Sequence, residues 1–278
     1  MGKLLDQKQN TTHIGEIRLF AQIGFLENRS CECGNKLGSC PFWGPIIDEM
    51  SSRFDLEYIA KLSKKLPRNR DIYAARVTKN KLKISEKYIE FLSVLYQIIF
   101  DRSDSGVIID STKFPVHLEA LSRKNLFDIR VIHLTRDPRG VVDSWSRRNQ
   151  TNRGESSKFI IKRPALNVAL SWRLCNSLVS SYKAKFPYFD HVKWENVTRD
   201  PAKELERLNS AIGLGNMNRG FDESNKTEIE PGHAFWGNSS RKLSGQVRII
   251  HRNDISGITN TIFNKFIYYI SGAYNFGY

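Results

Sequence analysis

Residues 131–145 read VIHLTRDPRGVVDSW. An apolar, β-branched run stops at Thr135. Two arginines, an aspartate, a proline and a glycine fill the next five positions, and a second apolar stretch follows at once. Asp137 is a good helix N-cap and Pro138 suits a first helical turn, so Arg136 falls at the joint between a strand and a helix. A helix start offers free N–H groups and the positive end of the helix dipole, both of which favour anions. An arginine there adds a planar fork of donors matched to phosphate. Ser144, two turns into the helix, can bring a hydroxyl to the same side. The same charges could instead pair locally, Arg136 and Arg139 with Asp137 and Asp143.

Three of the four cysteines form Cys31-x-Cys33-x6-Cys40, and Cys175 stands alone in a helical pattern. Three thiolates can begin a zinc site, but no fourth ligand stands out and the six histidines are scattered. A reduced cluster or one disulfide fits as well, and no metal is expected. The formal net charge of +14 is concentrated in part over residues 61–87, KLSKKLPRNRDIYAARVTKNKLKISEK. Such a field attracts nucleic acid, anionic glycans, acidic peptides or phosphorylated cofactors, and a solvated helix face has the same composition. Nucleic acid is not expected as a partner, because no matching motif and no aromatic–basic interleaving accompany the charge.

The elements that must position these groups follow from the hydrophobic pattern. Apolar residues recur at helical spacing over 14–27, 46–66 and 83–102, and the Cys-Gly-Pro stretch 30–45 reads as a loop. Gly106–Asp110 and Ile129–Leu134 are short apolar runs that end on polar residues, as strands covered on both faces do. Helices are expected at Phe114 to about Leu126, Pro138 to about Arg148, Ala165 to Phe186, 201–213 and 260–272, with a third strand at His191–Trp194. Alternation of strand and helix predicts an α/β fold with a parallel sheet, whose ligands bind beyond the carboxyl ends of the strands. The chain reads as one domain over 1–278, with the cysteine loop 30–45 and a helical insertion 46–102 inside it. No apolar run approaches the ~18–20 residues of a membrane span. MGKLLDQKQN lacks the apolar core of a signal peptide, and Asp6 does not fit a myristoylation signal at Gly2. A cytoplasmic location is expected.

The segment LTRDPRGVVDSW resembles the 3′-phosphate-binding segment of sulfotransferases that use 3′-phosphoadenosine 5′-phosphosulfate (PAPS), where a strand ends in Arg and a Ser follows eight positions later. Four further segments are similar to that family in its order along the chain: CECGNKLGSCPFW, VIIDSTKFP, KWENVTRDP and FWGNSSRKLSG. The resemblance implies a P-loop-like sulfotransferase fold, a parallel sheet flanked by helices. It implies PAPS as co-substrate, with no metal required, and a hydroxyl or amine acceptor on a glycan, lipid or peptide. Arg136 and Ser144 are the implied 3′-phosphate holders. Ser111, Gly237, Asn238, Ser239 and Arg241 are the implied further contacts to the nucleotide. Lys113, just past the strand 106–110, is the implied electrophile. Negative charge grows on the bridging oxygen of the leaving phosphate, and a lysine aimed there favours the transition state over the ground state. HIGEIR is similar to the CGEE.R segment of tyrosylprotein sulfotransferases, which makes Glu16 the implied base, with His117 or another carboxylate behind it.

One part of the family pattern is missing. The Gly-rich 5′-phosphosulfate loop precedes the first helix in that family, yet Met1–Asp6 already matches the inside of that helix, and no G-x4-G-K-[ST] occurs anywhere. The expectation is a sheet whose first strand is missing. A non-catalytic, N-terminally truncated nucleotide- or polyanion-binding remnant is therefore the rival reading. The basic 61–87 region suggests an anionic or polymeric acceptor.

Overall fold

A computed structural model describes residues 1–6, 10–147, 163–213, 221–237, 239–251 and 262–278. Its contacts divide the chain into two units, one of residues 1–128 and 228–247, the other of 129–227 and 248–278.

The first unit opens with a single turn, α1 (Gly2–Leu5), and a strand, β1 (Thr11–Gly15). The helical spacing from Ile14 misleads at its start. Ile14 and Gly15 belong to β1, and the helical run begins at Ile17 as a 3₁₀ turn that widens to a π-helix over Phe20–Leu26. The expected helix 46–66 is two, α2 (Trp43–Arg53) and α3 (Leu56–Lys64). They part because the carboxylate of Asp55 caps α3, accepting the backbone N–H of Tyr58 at 2.9 Å. The basic stretch continues as α4 (Asn69–Val77). The long amphipathic helix α5 (Glu86–Ser103) buries Tyr88, Phe91, Leu92, Leu95, Tyr96 and Ile99, the one-sided stripe expected of a helix on a core. It leads to β2 (Val107–Asp110) and α6 (Pro115–Leu121).

Strands β1 and β2 run parallel, with Thr11 opposite Val107, His13 opposite Ile109 and an irregularity before Gly15 meets Asp110. The core beneath them is aromatic. Phe20 lies 6.0 Å from Trp43, 6.2 Å from Phe91 and 5.7 Å from Phe235, and Trp43 meets Phe235 edge-on at 5.3 Å. Tilted and edge-on aromatic pairs add about 0.5–1.5 kcal/mol each beyond their buried area.

The second unit starts with β3 (Val131–Thr135) and α7 (Pro138–Arg147), close to the expected bounds. Then come α8 (Ala165–Ser180), β4 (Phe189–Lys193), α9 (Trp194–Arg199) and α10 (Pro201–Ala211). Asp200 caps α10 through the N–H of Lys203. β3 and β4 pair in parallel from Val131 opposite Phe189 to Thr135 opposite Lys193. The parallel pairing is as expected, and it is resolved into two-stranded pairs, one in each unit. The short strands β5 (Lys226–Ile229) and β6 (Gly245–Arg248) pair where the chain passes between units, and α11 (Ile262–Ser271) follows. Val142, Val168, Ala169 and Ile267 form an apolar core among α7, α8 and α11. Among the described residues no helix is long and apolar enough to cross a membrane.

Candidate active site

In the first unit the polar groups gather beyond the carboxyl ends of β1 and β2, where parallel strands leave room for ligands. Glu16 follows β1 and Lys113 follows β2. Lys113 Nζ donates to Glu16 Oε1 at 2.5 Å, with the lysine side chain 60% exposed and the glutamate 16%. Sequence reasoning assigned these two residues separate roles, and the fold puts them in contact across 97 positions.

The segment after residue 230 completes the corner. Phe235 N–H donates to Ile14 O at 3.0 Å, and Glu16 N–H to Trp236 O at 2.9 Å. Gly15 makes this approach possible. It sits at φ +74°, and a Cβ there would lie 2.5 Å from Trp236 O. Gly237, at φ +148°, lies beside the Glu16 side chain, so that a Cβ on it would come within 3.8 Å of Oε1. Asn238 lies outside the described residues, and for Ser239 only the backbone, in a 3₁₀ turn, is described. Arg241 is buried and turned inward, donating to Ser30 O at 3.1 Å and lying over the Trp236 ring at 5.4 Å.

Ser111 is not free in this corner. Its hydroxyl is 2.7 Å from Nε2 of His13, a buried histidine on β1 that sequence reasoning missed. Burial pushes the His13 pKa down to about 4, Asp110 opposing and the charges of Lys3 and Lys113 adding to the fall. His117 is also buried, with Nε2 2.9 Å from Asp110 Oδ2 and 3.1 Å from the Tyr96 hydroxyl. Asp110 accepts from Tyr96 at 2.6 Å and from the Thr112 N–H at 2.7 Å. Burial alone would raise the Asp110 pKa, but the His117 charge and these hydrogen bonds outweigh it and hold the carboxyl below the usual range. This network fixes the end of β2 and hence the start of the Lys113 segment.

His133 in the second unit is likewise pushed down to about 4, by burial first, while its Nε2 lies 2.9 Å from Asn176 Oδ1. Both folded-state values lie below the ordinary histidine value of 6.5, so between about pH 4 and 6.5 the unfolded chain binds more protons. Stability from these groups is fully present above about pH 6.5 and is lost as pH falls toward 4, by up to ~3 kcal/mol for each histidine. Urea midpoints at pH 7 and pH 5 should therefore differ, and His13→Gln should shrink the difference. A profile flat across that window would show that neither histidine is held neutral by the fold.

In the second unit the two arginines of the strand–helix joint separate. Arg139 pairs with buried Asp137, Nη2 to Oδ2 at 2.6 Å, and its own backbone N–H donates to Oδ1 at 2.8 Å. Glu195 accepts the Asp137 N–H at 2.9 Å. The local pairing considered for both arginines thus holds for Arg139 alone. Arg136 is exposed, with its guanidinium over the first turn of α7, 3.5 Å from where a Cβ on Gly140 would stand. It makes no ion pair among the described residues, while its carbonyl accepts from Trp172 Nε1 at 3.0 Å. Ser144 is half-buried on α7.

The cysteine segment is completed by a residue that no spacing rule points to. His233 Nδ1 lies 3.3 Å from Cys40 Sγ and 3.8 Å from Cys31 Sγ, and Cys33 Sγ is 3.6 Å from Cys40 Sγ. The basic stretch lines an open groove of about 610 Å³, bordered by Arg76, Lys79, Lys81, Arg123 and Lys124 with Glu86 and Glu119 among them. Arg76 is partly neutralised there by Glu119 at 3.2 Å.

No protein-family model and no curated protein matches the sequence. Among solved structures, the chain is similar to the sulfotransferase domain from the Synechococcus PCC 7002 olefin synthase, with 13% identity, 95% of this chain and 94% of that chain covered, and a TM-score of 0.43. It is also similar to the sulfotransferase domain from the curacin biosynthetic pathway, with 14% identity, 93% and 95% covered, and a TM-score of 0.39.

Proposed function

We propose that the chain is a PAPS-dependent sulfotransferase acting on a hydroxyl or amine acceptor. The observation that carries this reading is the Lys113–Glu16 contact beside Gly237 at the ends of two parallel strands. One carboxylate and one ammonium at one strand end are what in-line sulfuryl transfer needs. The acceptor oxygen or nitrogen attacks sulfur and its proton passes to the Glu16 carboxylate. The new bond to sulfur forms as the bond from sulfur to the 5′-phosphate oxygen breaks. The leaving group is 3′-phosphoadenosine 5′-phosphate, whose new negative charge is met by Lys113 Nζ. The salt bridge between the pair must open for this, and the 60% exposure of the lysine gives it room to swing.

Arg136 and Ser144 are the groups assigned to the 3′-phosphate. Gly237, Asn238, Ser239 and Ser111 are assigned to the rest of the nucleotide, and Arg241 to bracing the segment that carries the first three. The basic groove favours an anionic or polymeric acceptor, and a cytoplasmic location belongs to the same reading. That groove also favours the rival, a polyanion-binding chain without turnover.

The test is transfer of ³⁵S from PAPS to a panel of sugar, lipid, phenol and amine acceptors, run beside calorimetry with 3′-phosphoadenosine 5′-phosphate. Nucleotide binding with label transfer is expected. Nucleotide binding without transfer, or heparin binding alone, would leave the rival standing. No nucleotide binding in folded protein overturns the proposal.

A further inference from the structure

We propose that Cys31, Cys33, Cys40 and His233 form a structural zinc site that fixes the segment before Gly237 onto the cysteine turn. The four donor atoms lie within 4.8 Å of one another. A tetrahedral zinc with Zn–S near 2.3 Å and Zn–N near 2.0–2.1 Å sets ligand atoms roughly 3.5–3.8 Å apart. The separations of 3.3, 3.6 and 3.8 Å are close to that spacing. A closed set of three thiolates and one imidazole is a structural-site composition, and such soft, tetrahedral donors select zinc over magnesium or calcium.

The surroundings are built to hold the ligands in place. Cys31 and Cys40 are buried. The turn between the cysteines is knotted by Cys31 N–H to Asn35 O at 2.8 Å and Gly44 N–H to Cys40 O at 2.8 Å. Phe42 stacks on the His233 ring at 5.3 Å, and Trp43 Nε1 donates to His233 O at 2.6 Å. The imidazole is thereby oriented with Nδ1 toward the sulfurs. Such outer contacts fix ring orientation at metal sites.

The site has a mechanical consequence. Glu32, between two ligands, accepts the N–H groups of Gly232 at 3.1 Å and Ala234 at 3.0 Å and pairs with Lys3. Two residues past His233, Phe235 bonds to Ile14, and Trp236 takes the Glu16 N–H. The metal would therefore be three residues from the peptide that orients Glu16. Zinc takes no part in the chemistry. It braces the backbone beside the carboxylate.

Protein purified under reducing conditions from zinc-supplemented cells should carry about one zinc per chain by plasma emission spectrometry. Cobalt exchanged into the site should show thiolate charge-transfer bands and the strong d–d absorption of a tetrahedral centre. His233→Ala and Cys40→Ser should lose stoichiometric metal, and Cys175→Ser should keep it. Should the ligand variants fail to fold, the cobalt spectrum of the unaltered protein still decides. The inference is overturned if reduced, folded protein holds no stoichiometric zinc and gives only the weak octahedral cobalt spectrum. It is equally overturned if a non-reducing peptide map shows Cys33 linked to Cys40 by a disulfide, two hydrogens lighter than the pair of thiols. Metal binding stands apart from sulfuryl transfer: zinc without transfer sinks only the enzyme reading, and transfer without zinc sinks only this one.

Discussion

Replacing Lys113 with alanine is expected to lower kcat for sulfuryl transfer by about 10² to 10³, the usual loss when one preorganised donor to a developing oxyanion is removed. Among the described residues its one hydrogen-bonding partner is Glu16, and its side chain is mostly exposed. The fold therefore does not depend on it, and circular dichroism and thermal midpoint should barely change. Donor affinity should also change little, because the charge it meets grows only as the bond to sulfur breaks. The variant also frees Glu16 from its salt bridge. A Lys113→Ala protein with unchanged kcat would mean that the contact with Glu16 is a surface ion pair, of the kind that contributes ~0–1 kcal/mol and nothing more.

Arg136→Ala is expected to weaken binding of 3′-phosphoadenosine 5′-phosphate at least ~30-fold. Truncating one partner of a hydrogen-bonded charge pair that becomes desolvated on binding costs roughly 2–5 kcal/mol, at about 1.4 kcal/mol per tenfold. Arg139 supplies the contrast. Its guanidinium is already committed to buried Asp137, so Arg139→Ala should lower stability more than nucleotide affinity. Calorimetry and urea denaturation on the two variants read both effects. Equal affinity in Arg136→Ala and the unaltered protein would remove the 3′-phosphate from this joint.

The strand–helix joint was legible because its information is local. The apolar run 129–134, the capping pair Asp137-Pro138 and the amphipathic stretch after it predict β3 and α7 within two residues of their observed bounds. β2 and α5 were legible for the same reason. β1 was not, since Thr-Thr-His-Ile-Gly is short and half polar, and its strand character comes from pairing with β2 some 96 residues away. The same distance hid His13. Its neighbour Ser111 is 98 positions on, and no spacing rule joins them. Cys40 and His233 are separated by 193 positions, so the cysteine motif looked one ligand short. Glu16 and Lys113 were reached through similarity to a family, and their contact is a property of the paired strands that no local pattern contains.

The first unit is discontinuous, and this matters on the ribosome. Residues 1–128 leave the exit tunnel about 100 residues before residue 228, an interval of roughly 5–20 s at ordinary elongation rates. Throughout it Phe20 and Trp43 lack the Phe235 ring that packs against both, and Ile14 O lacks its donor. The nascent chain must therefore wait with an apolar, aromatic surface exposed. Holdase chaperones should bind it most strongly during that wait. Release should track the emergence of residues 232–236, making the last-synthesised part of the unit the step that closes its oldest part.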